Sequence, residues 1–441
     1  MLLQSDCERA YIQAEITGSI TYVRLPKAWW PADWASYKDP VAPLRLALYG
    51  HPCAGDCWQA HIESYLFKLG FSAITEWPSV YVHGSGDDAL FFVLYVDDLI
   101  MTGGSGLRPM ITKLREHIAM EDPHPIDRYL GCHHSVVTNA TDTHVKFDMS
   151  DYCRHAVGKY TAITGKTLKP ASTPYAPELP DDQLEVSLAS PGELQEHAAS
   201  LLMTLMYAAR CAKPEISVAV TRLAAQITRW SAECDRRLHR LFAYVLYSAD
   251  NVLTGSLGPK DMHEGVVIRC WPDADLNGDT LSSRSTTGYF IELAPKNPSE
   301  CGIPLSWGSR RQTSSSSSTC EAEVVSLSSA LRTEALPMQV LFERLMGKGI
   351  DVEVMEDNSA AIIAIKKGYS PALRHLSRTH RISLGLLHEV TTQHSMQDQG
   401  SVTIIKAPTS THKGDMFTKD LPPCKFGDAL SMIRIVAKGR S

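Results

Sequence analysis

Residues Phe91–Ile100 read Phe-Phe-Val-Leu-Tyr-Val-Asp-Asp-Leu-Ile, two apolar stretches joined through adjacent carboxylates. Phe, Val, Tyr and Ile at this density favour strands, and the run is short enough for a buried hairpin. A buried strand rarely tolerates one ionised carboxylate, and two in succession need an opposite charge. At a tight strand-to-strand turn the natural candidate is a divalent metal ion holding a phosphate. Asp also favours turns through local hydrogen bonds, and taken alone such a pair is more often only a turn. The second pair, Asp87-Asp88, follows Gly84-Ser85-Gly86 and reads as a solvated turn with no chemistry assigned.

The chain has 441 residues, which at about 150 per domain predicts two or three domains. Its 44% hydrophobic and 21% charged content is that of a soluble globular protein. No apolar run approaches the ~20 residues that span a bilayer, and the N-terminus carries no signal segment, so no membrane partner is expected. The 11 cysteines are odd in number and scattered, which fits reduced thiols and an intracellular location. Cys53 and Cys57 lack a second half for a zinc site. A net charge of −6 runs against nucleic-acid binding, an objection that weakens where acids serve as metal ligands.

Apolar spacing predicts a helix from Asp56 to Leu69 with Gly70 as its cap, short strands around Val80 and Val93, and a helix through Met110, Ile111, Leu114 and Ile118. Pro170, Pro174, Pro177 and Pro180 in a polar stretch have the composition of a linker. A helical connector follows over Leu201–Asp250, and a second α/β unit begins near Gly265. Strands are expected at Val266–Trp271 and around Phe290. Ser314–Ser318 reads as loop, and a helix from Glu321 is expected to stop at Pro337. The resulting division is 1–165, 166–262, 263–425 and a C-terminal tail 426–441, of overall α/β class.

Acids recur at element ends in the second half. Asp273 and Asp275 follow a strand, Glu321 and Glu323 open a helix, Glu356 and Asp357 end another strand, and Asp415 lies in Lys-Gly-Asp-Met-Phe-Thr-Lys. Each alone fits a cap or turn. The order strand-Asp, helix-Glu, strand-Asp and late Asp is that of a ribonuclease H fold, which uses two magnesium ions.

The chain resembles the Pol polyprotein of copia-type long-terminal-repeat retrotransposons nearly end to end. The likeness runs through Leu48-Tyr49-Gly50, Trp58, Leu69-Gly70-Phe71, Tyr95-Val96-Asp97-Asp98, Tyr129-Leu130-Gly131, Ser172-Thr173-Pro174, Ser285-Thr286-Thr287-Gly288-Tyr289, Leu305-Ser306-Trp307, Arg311-Gln312 and Asp415–Leu421. It implies a reverse transcriptase palm and thumb over 1–165, a helical connection over 166–262 and a ribonuclease H-like domain over 263–425. Asp6, Asp97 and Asp98 become the polymerase metal ligands, and Asp273, Glu323, Asp357 and Asp415 those of the ribonuclease H. Asp275, Glu321 and Glu356 are expected to be neighbours outside the ligand set that shape the local field or cap an element, and His412 a surface histidine without a task, with help in proton transfer as its alternative. The implied cofactor is Mg2+, two ions per active site, with Mn2+ as a substitute. The implied partners are RNA template, DNA primer, deoxynucleotides, RNA–DNA hybrid and other parts of the polyprotein.

Several positions depart from that family. The chain begins five residues before Asp6, so fingers and upstream palm are expected to be missing and polymerisation to be poor. Asp56 replaces an Arg, Leu276 replaces a Trp, and Arg378–Ser383 loses the histidine and acid of the family's Arg-Thr-Lys-His-Ile-Asp. No protease, integrase or zinc knuckle is expected. A degenerate, inactive nucleic-acid-binding remnant is the alternative reading.

Overall fold

The computed structural model describes residues 1–279, 284–297, 301–392 and 399–437. Two compact units result, Met1–Asp127 with Arg344–Gly347, and Arg128–Glu343 with Lys348–Ser441.

In the first unit six antiparallel strands form one sheet in the order Ser72–Ile74, Trp77–His83, Leu90–Tyr95, Asp98–Thr102, Leu2–Asp6, His124–Pro125. The apolar run becomes the central hairpin, with Tyr95 paired to Asp98 across the turn. Helices Ala54–Lys68 and Leu107–Arg115 cover the sheet, burying Trp58, Ile62, Leu66, Ile111 and Leu114 against Leu3, Phe92 and Leu99. The first helix ends because Gly70 adopts φ 91, letting the Gly70 and Phe71 amides close back on the carbonyls of Phe67 and Leu66. Gly86–Asp88 forms a single 3-10 turn.

The second unit holds two five-stranded sheets. One runs Ile435–Ala437, Asn251–Leu257, Thr143–Asp148, Cys132–Thr138, Arg128–Tyr129, all antiparallel. The other runs Ile303–Arg311, Arg284–Pro295, Val266–Asp279, Val352–Glu356, Val402–Lys406, antiparallel across its first three strands and parallel thereafter. Helices Ser150–Thr164, Gln195–Cys211, Ser217–Ala224 and Ala232–Tyr247 contribute to one continuous apolar core.

Four expectations of organisation differ from the structure. The proline-rich stretch is not a free linker: Leu168, Ala171 and Thr173 are buried, and Arg240 donates to the Thr173 carbonyl at 2.9 Å. Compact packing breaks at Asp127, well before residue 165, because strand pairing ties Thr143–Asp148 to Asn251–Leu257. The expected tail is a helix, Pro423–Met432, and a strand, Ile435–Ala437, anchored by buried Phe426, Ile433 and Ile435; residues 438–441 lie outside the described residues. Finally, Pro337 does not stop its helix. A π-helical turn over Leu331–Ala335, closed by the Leu336 amide on the Leu331 carbonyl, carries the chain into Leu336–Met346. The wider turn accommodates a residue that has no N–H and would crowd the preceding turn.

Candidate metal centres

The first cluster forms where the central hairpin meets the N-terminal strand. Asp6 pairs directly with Asp98, and the Cys7 amide donates to the Asp97 carbonyl at 2.7 Å, so three acids share one end of the sheet. The turn itself is strained, since Val96 has φ 58, a region β-branched residues rarely adopt. The buried Trp58 indole donates to the Val96 carbonyl at 2.5 Å and holds it there. Burial raises the Asp6 carboxyl, and Asp97, Asp98 and Glu121 add to the effect; burial and then Asp97 raise Asp98. Beside them, burial and the same three aspartates push the Cys7 thiol up to about 12. Asp56, at an expected arginine position, is exposed in the first turn of its helix, where an acid suits the helix dipole.

The second cluster is tighter. Cys270 pairs with Val354 in the parallel ladder, so Asp273 and Asp357, each three residues on, emerge side by side. Helix Thr319–Ala330 brings Glu323 to them because Ser326, one turn later, donates to the carbonyls of Asp273 at 2.6 Å and Gly288 at 3.1 Å. Ligand oxygens of Asp273, Glu323 and Asp357 all lie within 4.8 Å of one another, and Asp273, His412 and Asp415 form a second such group. Asp415 arrives on the 3-10 turn Lys413–Phe417, which approaches the sheet closely. A Cβ at Gly288 would sit 2.6 Å from the Thr418 methyl, and one at Gly414 would sit 2.7 Å from the Asp273 Cβ. Asp6, Asp97 and Asp98 are not among the groups within 4.8 Å found in the described residues.

Burial and neighbouring acids oppose ionisation of the carboxyls in this centre. Asp273 and Glu323 are 1% and 4% exposed. Burial is the main cause of the raised carboxyls of Asp273, Glu323 and Glu356, and the mutual repulsion of the cluster adds to it. Glu323 Oε2 and Glu356 Oε2 are buried without a hydrogen-bond partner. Such oxygens need either protons or a cation, and an all-oxygen set of this kind suits Mg2+ or Mn2+.

The residues expected outside the ligand set have other tasks. Asp275 pairs with Arg222 at 3.3 Å, and Arg222 also holds Asp420 at 2.7 Å. Glu321 accepts from the Ser317 amide and from His375 at 3.0 Å, with His380 Nε2 3.3 Å away. His412 is no surface residue: it is 1% exposed, and its Nε2 donates to the Met355 carbonyl at 2.8 Å. Thr418 donates to the Asp273 carboxylate, and Lys419 bridges Asp273 and Asp415. Both belong to the Asp-x-x-Thr-Lys signature, the one sequence signal for them. Nothing in the sequence ties Arg222 to Asp275.

Residues 1–174 match the reverse transcriptase (RNA-dependent DNA polymerase) family. The retrovirus-related Pol polyprotein from transposon RE1 of Arabidopsis thaliana is 24% identical over 441 residues, covering 98% of this chain. That from transposon TNT 1-94 of Nicotiana tabacum is 24% identical over 432 residues, covering 96%. Over nearly its whole length the chain is similar to Pol polyproteins of copia-type transposons. It spans 27% and 30% of the lengths of those two relatives. Among solved structures, a foamy viral protease-reverse transcriptase in complex with double-stranded DNA aligns with TM-score 0.45 and 12% identity, covering 92% of this chain and 57% of that one. Among the described residues no helix is long and apolar enough to cross a membrane.

Proposed function

We propose that this copia-type chain carries two sites, a ribonuclease H-like centre that cuts the RNA strand of an RNA–DNA hybrid and a reverse transcriptase-type site at Asp6, Asp97 and Asp98. The observation that carries the first part is the convergence of Asp273, Glu323 and Asp357 within 4.8 Å on a sheet of three antiparallel and two parallel strands. Asp415, joined to Asp273 through Lys419, completes the set. These carboxylates would hold two Mg2+ ions, which when bound activate water and stabilise the leaving oxygen. The chain's own residues hold the geometry: Ser326 fixes the helix against the strands, Thr418 orients Asp273, and Arg222 keeps Asp275 engaged elsewhere.

The match of residues 1–174 to reverse transcriptases supports nucleotidyl transfer to a DNA primer on an RNA template at the first cluster. There Asp6, Asp97 and Asp98 would be the ligands, with deoxynucleotides as substrates.

A hybrid-cleavage assay on the full chain with Mg2+ tests the main reading. Asp357→Asn keeps side-chain volume and deletes a ligand charge, so cleavage should vanish, whereas Asp275→Asn should cost far less. Equal rates for wild type and Asp357→Asn reject the mechanism. Tight hybrid binding without cleavage by wild type favours the degenerate remnant. Primer extension by wild type and Asp97→Asn tests the first cluster in the same way.

A further inference from the structure

Helix Ala232–Tyr247 carries Arg236, His239 and Arg240 at the i, i+3, i+4 spacing of a single face. The proline-bearing stretch packs there because Arg240 donates through Nε to the Thr173 carbonyl at 2.9 Å and through Nη2 to the Thr173 hydroxyl at 3.0 Å. Between helix and stretch lies a cleft of about 370 Å³, to which the stretch contributes Lys169, Ala176 and Pro177. No carboxylate lines it. Arg236 grips Glu233 through Nε at 2.8 Å and Nη2 at 2.7 Å, so the planes of both guanidinium groups are set. Neither Nη1 has a partner among the described residues. Thr173 is uncharged and leaves the Arg240 charge unneutralised. Lys169 is exposed, and among the described residues it has no ion-pair partner. The buried Tyr160 hydroxyl lies 3.0 Å from His239 Nδ1, and a buried phenol donates, which places the imidazole proton on Nε2. Burial, and then Lys166, lower the imidazole, so His239 is a neutral donor at pH 7.

We propose that this cleft binds a small polyphosphate, either inorganic or the phosphate tail of a nucleotide. Fixed guanidinium forks match phosphate oxygens, and Lys169 adds a mobile point charge. The chain as a whole has a formal net charge of −6, so basic groups around one concavity with no acid in its lining reverse the sign of the field locally and draw an anion to that point. The shape favours a small ligand over a nucleic-acid strand. Strands are tracked by extended basic grooves with aromatic side chains for the bases, whereas this volume is at the small end of ligand pockets and its apolar wall is Ala176 and Pro177. None of the acids of the two metal centres lines the cleft, so the proposal does not rest on the function proposed above.

The test is calorimetric titration of the full chain with sodium tripolyphosphate, in chelator so that no divalent ion bridges the ligand to the carboxylate clusters. Wild type should bind it, and Lys169→Gln and Arg240→Gln should each weaken binding by about tenfold, the size of one lost charge-assisted contact. Lys260→Gln makes the same charge change at an exposed lysine on another helix and should leave the affinity unchanged, as should Asp357→Asn. Thermal unfolding shows which variants are folded. Arg240 also holds the proline stretch, so Lys169→Gln, which removes an exposed side chain without a partner, decides the matter if Arg240→Gln does not fold. Titration with ATP separates the two sources: tighter binding than tripolyphosphate selects the nucleotide, and equal or weaker binding the inorganic anion. No binding by wild type, equal affinity in Lys169→Gln, or equal weakening by Lys260→Gln overturns the site. A single-stranded oligodeoxynucleotide that binds more tightly than either probe, and loses that affinity in Lys169→Gln, overturns it in favour of a nucleic-acid strand.

Discussion

Trp58 and Val96, 38 residues apart, are joined by an indole N–H to carbonyl hydrogen bond of 2.5 Å at the tip of the central hairpin. The bond clamps the turn that carries Asp97 and Asp98. Val96 reaches it at φ 58, although the residue is 39% exposed and gains little by burial.

Val96→Gly should therefore stabilise the first unit. Relief of left-handed strain is worth about 1–2 kcal/mol and glycine's extra unfolded-state entropy returns part of it, leaving a net gain of about 0.5–1 kcal/mol. Trp58→Phe should cost about 1–2 kcal/mol through the lost hydrogen bond and speed amide exchange at Asp98. Thermal unfolding with hydrogen exchange measures both. A destabilised Val96→Gly would show that the turn conformation carries no strain.

Stability of the metal-free chain should fall as pH rises. Asp273 is raised to about 6 and Glu356 to about 8, so the folded chain keeps protons that the unfolded chain releases near pH 4. Groups raised in this way contribute stability that is full below the unfolded value and disappears as pH climbs through the folded one. The window is about pH 4 to 8. Saturating Mg2+ should reverse the trend, because it binds the ionised forms. Denaturation midpoints with chelator and with Mg2+ across this range provide the check, and equal Mg2+ stabilisation at pH 5 and pH 8 would contradict it.

Glu321→Ala should destabilise the second unit by about 2–3 kcal/mol while leaving Mn2+ binding at the Asp273–Glu323–Asp357 group intact. Burial alone would raise the Glu321 carboxyl, but the Ser317 donors and His375 outweigh it and hold it below its ordinary value. Its stabilising contribution is present above the unfolded value and lost as pH falls. Loss of Mn2+ binding in a folded Glu321→Ala chain would move this residue into the ligand set.

The sequence by itself determined the local elements: the Phe91–Ile100 hairpin, the helix capped by Gly70, and the strands carrying Asp273 and Glu356. These follow from side-chain periodicity and turn chemistry, which act over a few residues. It also carried Asp273, Glu323 and Asp357 as acids at element ends, and only the parallel pairing of Cys270 with Val354 and the Ser326 anchor brought them within 4.8 Å. Tertiary structure alone decided that the proline stretch packs on Arg240, that the last residues close a sheet, and that Pro337 sits within a helix through a π turn. It decided likewise that His412 is buried and that Lys419 lies between two carboxylates. The reason is physical. Burial and charge pairing depend on which distant segments the core draws together, and local pattern holds no record of contacts across 145 residues such as Thr418 to Asp273.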